Sequence, residues 1–353
     1  MIIYPFLLLF IIATYPLFRT RTLLKTKTVI EKNRFYTLII TFVLTVIAGL
    51  RGLSVGIDTY NYYYSFISRS YLSFSDIFIG VTKEYGYRLF EFSVNLLFSN
   101  FQILLIIVAL LYVGAVSYNI YKHSSIPFLS YIYFIGFGFY TFGMTATRQT
   151  IAIALILIAF QYIYKKQLIK FLLIVGLAST FHVTALVFLP SYWFNKFKLN
   201  KRSVLFLAVI VLGFLIFKDK LRELLLYYSG VDYGSSETGG NRFYFLLIFS
   251  LLIGIIYRKP FLEKSENNKY LFFMIIAATI IIPMTQFHPA VMRLSFYYSI
   301  FLILYIPNIL NAINDRIIRL IGNYGYVLAS LYMFFSNTIS SSNLESYTFF
   351  WQQ

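Results

Sequence analysis

Apolar stretches long enough to approach the thickness of a membrane alternate with short basic or glycine-bearing breaks along nearly all of the 353-residue chain. At ~1.5 Å of rise per helical residue, a ~30 Å hydrocarbon core needs about 20 residues. Runs near that length read as helices at 1–18, 35–50, 100–121, 127–146, 148–164, 203–217, 242–257, 270–287, 294–311 and 317–335. The pattern predicts an all-α polytopic membrane protein with about ten transmembrane helices in one integral domain over residues 1–353. The first run lacks a basic leading segment and a small-residue cleavage site, so it reads as a retained span. Residues 168–195 lie between two basic loops. A re-entrant pair of half-helices broken around Ser179–His182 keeps both loops on one side, and a single tilted span is the other solution.

Composition removes the soluble alternatives. With 59% hydrophobic and 12% charged residues, the chain lies far from the balance of a soluble domain. The net charge of +17 falls mainly in short loops at 19–34, 165–170, 196–202, 258–269 and 315–319. That is the distribution of topogenic charges, which places those loops in the cytoplasm, and it is not a stripe suited to nucleic acid. Both termini and two longer loops, about 51–99 and 218–241, then face outward. The second loop, polar and rich in glycine from Ser229 to Gly240, suits either a gate over a cavity or a passive connector. With no cysteine and three scattered histidines, disulfides and a cysteine nucleophile are excluded, and neither a metal site nor a cofactor is expected.

Charge beside hydrocarbon is costly unless it lines a polar cavity or meets a charged ligand. Four such places stand at the expected outer ends of spans: Arg51, Asp58 and Tyr60; Glu84, Tyr87 and Arg88; Arg148; and Arg293. Arginine suits phosphate because its planar fork donates two parallel hydrogen bonds and keeps its charge. Arg51, Arg148 and Arg293 therefore read as ligands for a phosphate-bearing group, and Arg69 and Arg88 as headgroup anchors. His182, alone in an apolar stretch, is either a general base or a packing histidine. Asp58 and Glu84 are the other base candidates, unless they serve as ion-pair partners of Arg51 and Arg88. Tyrosines of the 60–64 cluster could stack on sugar rings.

In order, Arg51 with Gly56-Ile-Asp58-Thr-Tyr60, Glu84-Tyr-Gly-Tyr87, Arg148-Gln before a helix ending Lys165-Lys166, and Phe181-His182-Val-Thr-Ala resemble the EpsG family of polysaccharide-repeat polymerases, close in kind to Wzy O-antigen polymerases. Arg293 resembles that family's late arginine, and Thr184 stands where the family usually has serine. The resemblance implies a GT-C-like glycosyltransferase that joins oligosaccharide repeats carried on undecaprenyl pyrophosphate, without a metal, at the outer face of the bacterial cytoplasmic membrane. It implies His182, Asp58 or Glu84 as catalytic residues, and Arg51, Arg148, Arg293, Tyr60 and Tyr87 on the pyrophosphate and substrate. Its partners would be the lipid-linked oligosaccharide, membrane lipids and a chain-length regulator, with no nucleic acid. A lipid-linked oligosaccharide flippase or an O-antigen ligase is the alternative.

Overall fold

A computed structural model describes residues 3–19, 26–69, 73–78, 84–197, 209, 213, 216–217, 220, 223, 239–283, 289–340 and 347–352. The span expected at 203–217 and the loop expected at 218–241 fall almost wholly outside them. Among the described residues the chain is helical and forms no strand, only an isolated antiparallel bridge between Arg51 and Phe349. Within what the sequence reads as one integral domain, contacts divide the chain into two compact units, Met1–Leu186 with Ile321–Gln353, and Val187–Leu320.

The first unit runs α1 (Ile3–Arg19), α2 (Thr26–Gly49), α3 (Thr59–Ser68), α4 (Tyr85–Phe98), α5 (Phe101–His123), α6 (Pro127–Gly136), α7 (Phe139–Thr145), α8 (Thr147–Tyr164) and α9 (Leu168–Phe181). Helices α5 and α8 are long and apolar enough to cross a bilayer, while α6 and α9 are shorter apolar helices. Helix α5 packs against α2 on one flank and α8 on another, and α8 packs against α9. In lipid such association rests on van der Waals fit rather than on exclusion of water, so the closeness of these contacts carries the stability.

Two expectations need correction. The region 51–99 is not an open loop: it folds into α3, a 3₁₀ turn at Phe74–Phe78 and α4. These helices are too short and too polar to read as spans, yet Tyr62 and Phe66 on α3, and Tyr87 and Val94 on α4, recur at helical spacing. They bury against Phe101, Leu104, Leu105 and Val108 of α5 and Ile151 of α8. The run 127–146 is not one span either, because it breaks at Gly138 into α6 and α7. The break expected near Ser179–His182 is present. Helix α9 ends at Phe181, His182 is extended at φ −153° and ψ 113°, and a 3₁₀ stretch follows over Val183–Lys196.

The second unit contains α10 (Gly239–Ile256), α11 (Arg258–Lys264), α12 (Asn267–Ile281), α13 (Pro289–Ser299) and α14 (Leu302–Ala312). Arg242–Ile256 and Arg258–Lys264 meet at 82°, and Met292–Ser299 and Leu302–Ala312 at 45°. Helix α12 packs on α10, α13 and α14. Two of their buried polar groups are satisfied in place: the Tyr305 hydroxyl donates to the Ser250 carbonyl at 3.2 Å, and the Asn268 amide donates to the Phe261 carbonyl at 2.7 Å. A last helix, α15 (Arg316–Ser340), leads into the segment 347–352. By length and composition the described residues hold three helices able to cross a membrane, or five if each bent pair is one span.

Candidate functional site

Three breaks in the helical framework of the first unit deliver the charged side chains. The break between α7 and α8 falls at Ala146, and Arg148 stands in the first turn of α8. His182 occupies the extended residue that ends α9. Glu84 holds the position before α4, where an acidic side chain would ordinarily cap the helix; at φ −88° and ψ 61° it makes no cap hydrogen bond and is turned elsewhere.

What it turns to are the other two residues. Glu84 Oε1 accepts from His182 Nδ1 at 2.6 Å, and Oε2 accepts from Arg148 Nη1 at 2.6 Å. A carboxylate only accepts, so the contact places a proton on Nδ1, and Nε2 is the ring nitrogen left to take up a further proton. The Glu84 side chain is 13% exposed, His182 25% and Arg148 37%. Burial pushes the Glu84 carboxyl up, but the hydrogen bonds and charges of His182 and Arg148 outweigh it and hold the carboxyl below its usual range.

The guanidinium of Arg148 rests on two aromatic rings, 5.5 Å from the centroids of both Tyr62 and Tyr87. Those rings meet edge to face at 5.7 Å. Tyr87 is 2% exposed, so its ring supports Arg148 from within and does not present a surface to substrate, contrary to the sequence reading. Tyr60 and Tyr64 of the same aromatic cluster are exposed.

Two glycines allow the approach. A Cβ at Gly86 would lie 2.1 Å from Thr180 Oγ1, so this position lets α4 meet α9 two residues from Glu84 and two from His182. Gly56 has φ +96°, and a Cβ there would lie 2.3 Å from the Met144 carbonyl oxygen. It draws the 51–58 turn against the end of α7, where the Thr59 hydroxyl donates to the Val55 carbonyl at 2.7 Å.

Other expected residues stand differently. Arg51 is 1% exposed and donates Nη1 to the Ala48 carbonyl at 2.6 Å, while its Nε and Nη2 meet no acceptor, so it does not pair with Asp58. Asp58 is half-buried before α3. Arg293 lies exposed on α13 in the second unit. Arg69 and Arg88, expected as headgroup anchors, are engaged within the fold: buried Arg88 donates Nη1 to the Ile77 carbonyl at 3.0 Å, and Arg69 pairs with the fully buried carboxylate of Glu91. Sequence reasoning passed over Glu91. Its one available signal was spacing, since 87 and 91 recur on one face of α4.

The arrangement offers a polarised imidazole and a cation beside the N-terminus of a long helix, a position that favours anions. Among the described residues no three histidines and carboxylates gather as a metal-ligand set. Set against known families, the chain matches the model of the EpsG family over residues 34–352, a range that contains every residue of this cluster. No curated protein and no solved structure matches it.

Proposed function

Because the chain belongs to the EpsG family, we propose that it is a membrane polysaccharide polymerase of GT-C-like type, joining oligosaccharide repeats carried on undecaprenyl pyrophosphate at the outer face of the bacterial cytoplasmic membrane. The observation that carries the reading is the Glu84 carboxylate bridging His182 and Arg148. In the reaction, a hydroxyl of the incoming lipid-linked repeat attacks C1 of the growing chain. His182 Nε2 takes the hydroxyl proton as the new C–O bond forms, and Glu84 stabilises the resulting imidazolium through Nδ1. The bond from C1 to the pyrophosphate oxygen breaks, and its electron pair leaves with undecaprenyl pyrophosphate. Arg148 and the N-terminus of α8 supply positive potential for that leaving group. Arg51 and Arg293 are further candidates for the pyrophosphate, and exposed Tyr60 for a sugar face. The basic loops support a cytoplasmic placement for themselves and an outward one for the site.

A surface polysaccharide profile of a deletion strain tests the reading. Loss of the polymer ladder with retention of a single capped repeat, restored by the intact chain, is expected. Absence of any exported repeat would point to a flippase, and full-length polymer left on its lipid carrier would point to a ligase.

A further inference from the structure

Arg51 is a cation sealed inside the first unit with most of its hydrogen-bonding capacity unspent. Of its five N–H donors, the single bond described is that of Nη1 to the Ala48 carbonyl, and Nε and Nη2 lie buried with no acceptor. The groups that feel its charge are the hydroxyls of Tyr4, Tyr140 and Tyr347. Two of these are already committed, Tyr140 donating to the Leu44 carbonyl at 2.8 Å and Tyr347 to the Ile47 carbonyl at 2.5 Å. The Tyr4 hydroxyl is buried without a partner. None of the ion pairs among the described residues includes Arg51. A guanidinium taken out of solvent without a counter-ion is costly, and its idle donors suit a bidentate oxyanion.

The cover over this group is the segment 347–352. Gly52 N donates to the Thr348 carbonyl at 2.7 Å, and Phe350 N donates to the Leu50 carbonyl at 3.0 Å. The hydroxyls of Ser54 and Thr348 are 3.0 Å apart, and the Tyr347 ring stands edge-on to Tyr4 at 6.0 Å. Farther along, the Phe349 and Trp351 rings stack at 4.4 Å with Trp351 58% exposed. Two main-chain bonds, one hydroxyl contact and one tyrosine make an attachment that can open without unwinding a helix. Opening also frees the Gly52 N–H, the donor next in sequence to Arg51.

We infer that Arg51 is a closed anion site for the pyrophosphate of the lipid carrier, and that the segment 347–352 is a strap that lifts from 50–54 to admit it. The inference rests on the polymerase reading, which supplies the pyrophosphate. The chain has no cysteine, so the pair Ser54→Cys and Thr348→Cys allows one disulfide across the strap and no other. Purified full-length protein, wild type and double variant, oxidised and reduced, is titrated with undecaprenyl pyrophosphate and with undecaprenol. Wild type and the reduced variant should bind undecaprenyl pyrophosphate alike, the oxidised variant at least about ten-fold more weakly, with recovery on reduction. Undecaprenol should not distinguish the forms. Equal binding by the oxidised and reduced variant would overturn the strap and leave the polymerase reading standing, whereas no binding by wild type would overturn both. A second readout needs no disulfide: with Trp193→Phe, Trp351 is the remaining tryptophan. Its quenching by acrylamide should rise on addition of undecaprenyl pyrophosphate but not of undecaprenol, and an unchanged signal would count against lifting.

Discussion

His182 donates its Nδ1 proton to the Glu84 carboxylate at 2.6 Å across 98 residues of sequence. The contact decides which imidazole nitrogen is free to act, and it couples the end of α9 to the start of α4. Replacing the carboxylate by an amide removes the charge that steadies an imidazolium while keeping the shape. Glu84→Gln should lower chain extension by about 10²-fold at unchanged protein level, a loss within the range of general-base catalysis. Quantifying polymer length and turnover in membranes of a complemented deletion strain checks this, and near-normal ladders would remove Glu84 from the mechanism.

The same carboxylate gives a signed dependence on pH. Its pKa is held below the ordinary value by His182 and Arg148 against the effect of burial. A group whose folded pKa is depressed contributes stability that is present above its unfolded value of about 4.3 and is lost as pH falls through the folded value. The difference in melting temperature between wild type and Glu84→Gln in detergent should shrink as pH falls below about 4.3. A difference that stays constant or grows as pH falls below about 4.3 would mean that the carboxylate is not the stabilised form.

Arg148 combines one hydrogen bond to Glu84 with stacking on two rings. Lysine keeps the charge but loses the planar fork. Arg148→Lys should therefore be impaired nearly as much as Arg148→Ala. Because the Tyr87 hydroxyl is buried without an acceptor, Tyr87→Phe should stay within about two-fold of wild-type turnover and Tyr87→Ala should not. Full polymer from Arg148→Ala would reduce this arginine to a structural cation.

The approach of α4 to α9 depends on Gly86, where an added methyl meets Thr180. Gly86→Ala should separate Glu84 from His182 and cut chain extension at least about ten-fold, with a smaller effect on expression. Wild-type activity in this variant would mean that the two helices tolerate a shift the mechanism does not feel.

Much of this was legible in the chain. Spans read at 100–121 and 148–164 correspond to Phe101–His123 and Thr147–Tyr164 because long apolar runs carry a strong signal. Helices α3 and α4 were not, since residues such as Asn61, Ser65 and Glu91 interrupt their apolar faces and no span-length run exists. Arg148, Glu84 and His182 were each visible as costly polar groups beside hydrocarbon. Their union was not, because nothing in a single sequence pairs a residue near position 84 with one near 182. The burial of Arg51 also escaped, since the cover that hides it comes from the far end of the chain.

The central claim is that His182, held by Glu84, accepts the proton of the attacking hydroxyl. Turnover of purified His182→Ala with lipid-linked repeat tests it most directly, read beside the binding of that repeat to the same protein. Turnover should fall by about 10³-fold or more while binding stays within about three-fold of wild type, so that unextended repeats accumulate. Turnover of His182→Ala near the wild-type level, with Glu84→Gln folded but inactive, would contradict the account and give the proton to the carboxylate.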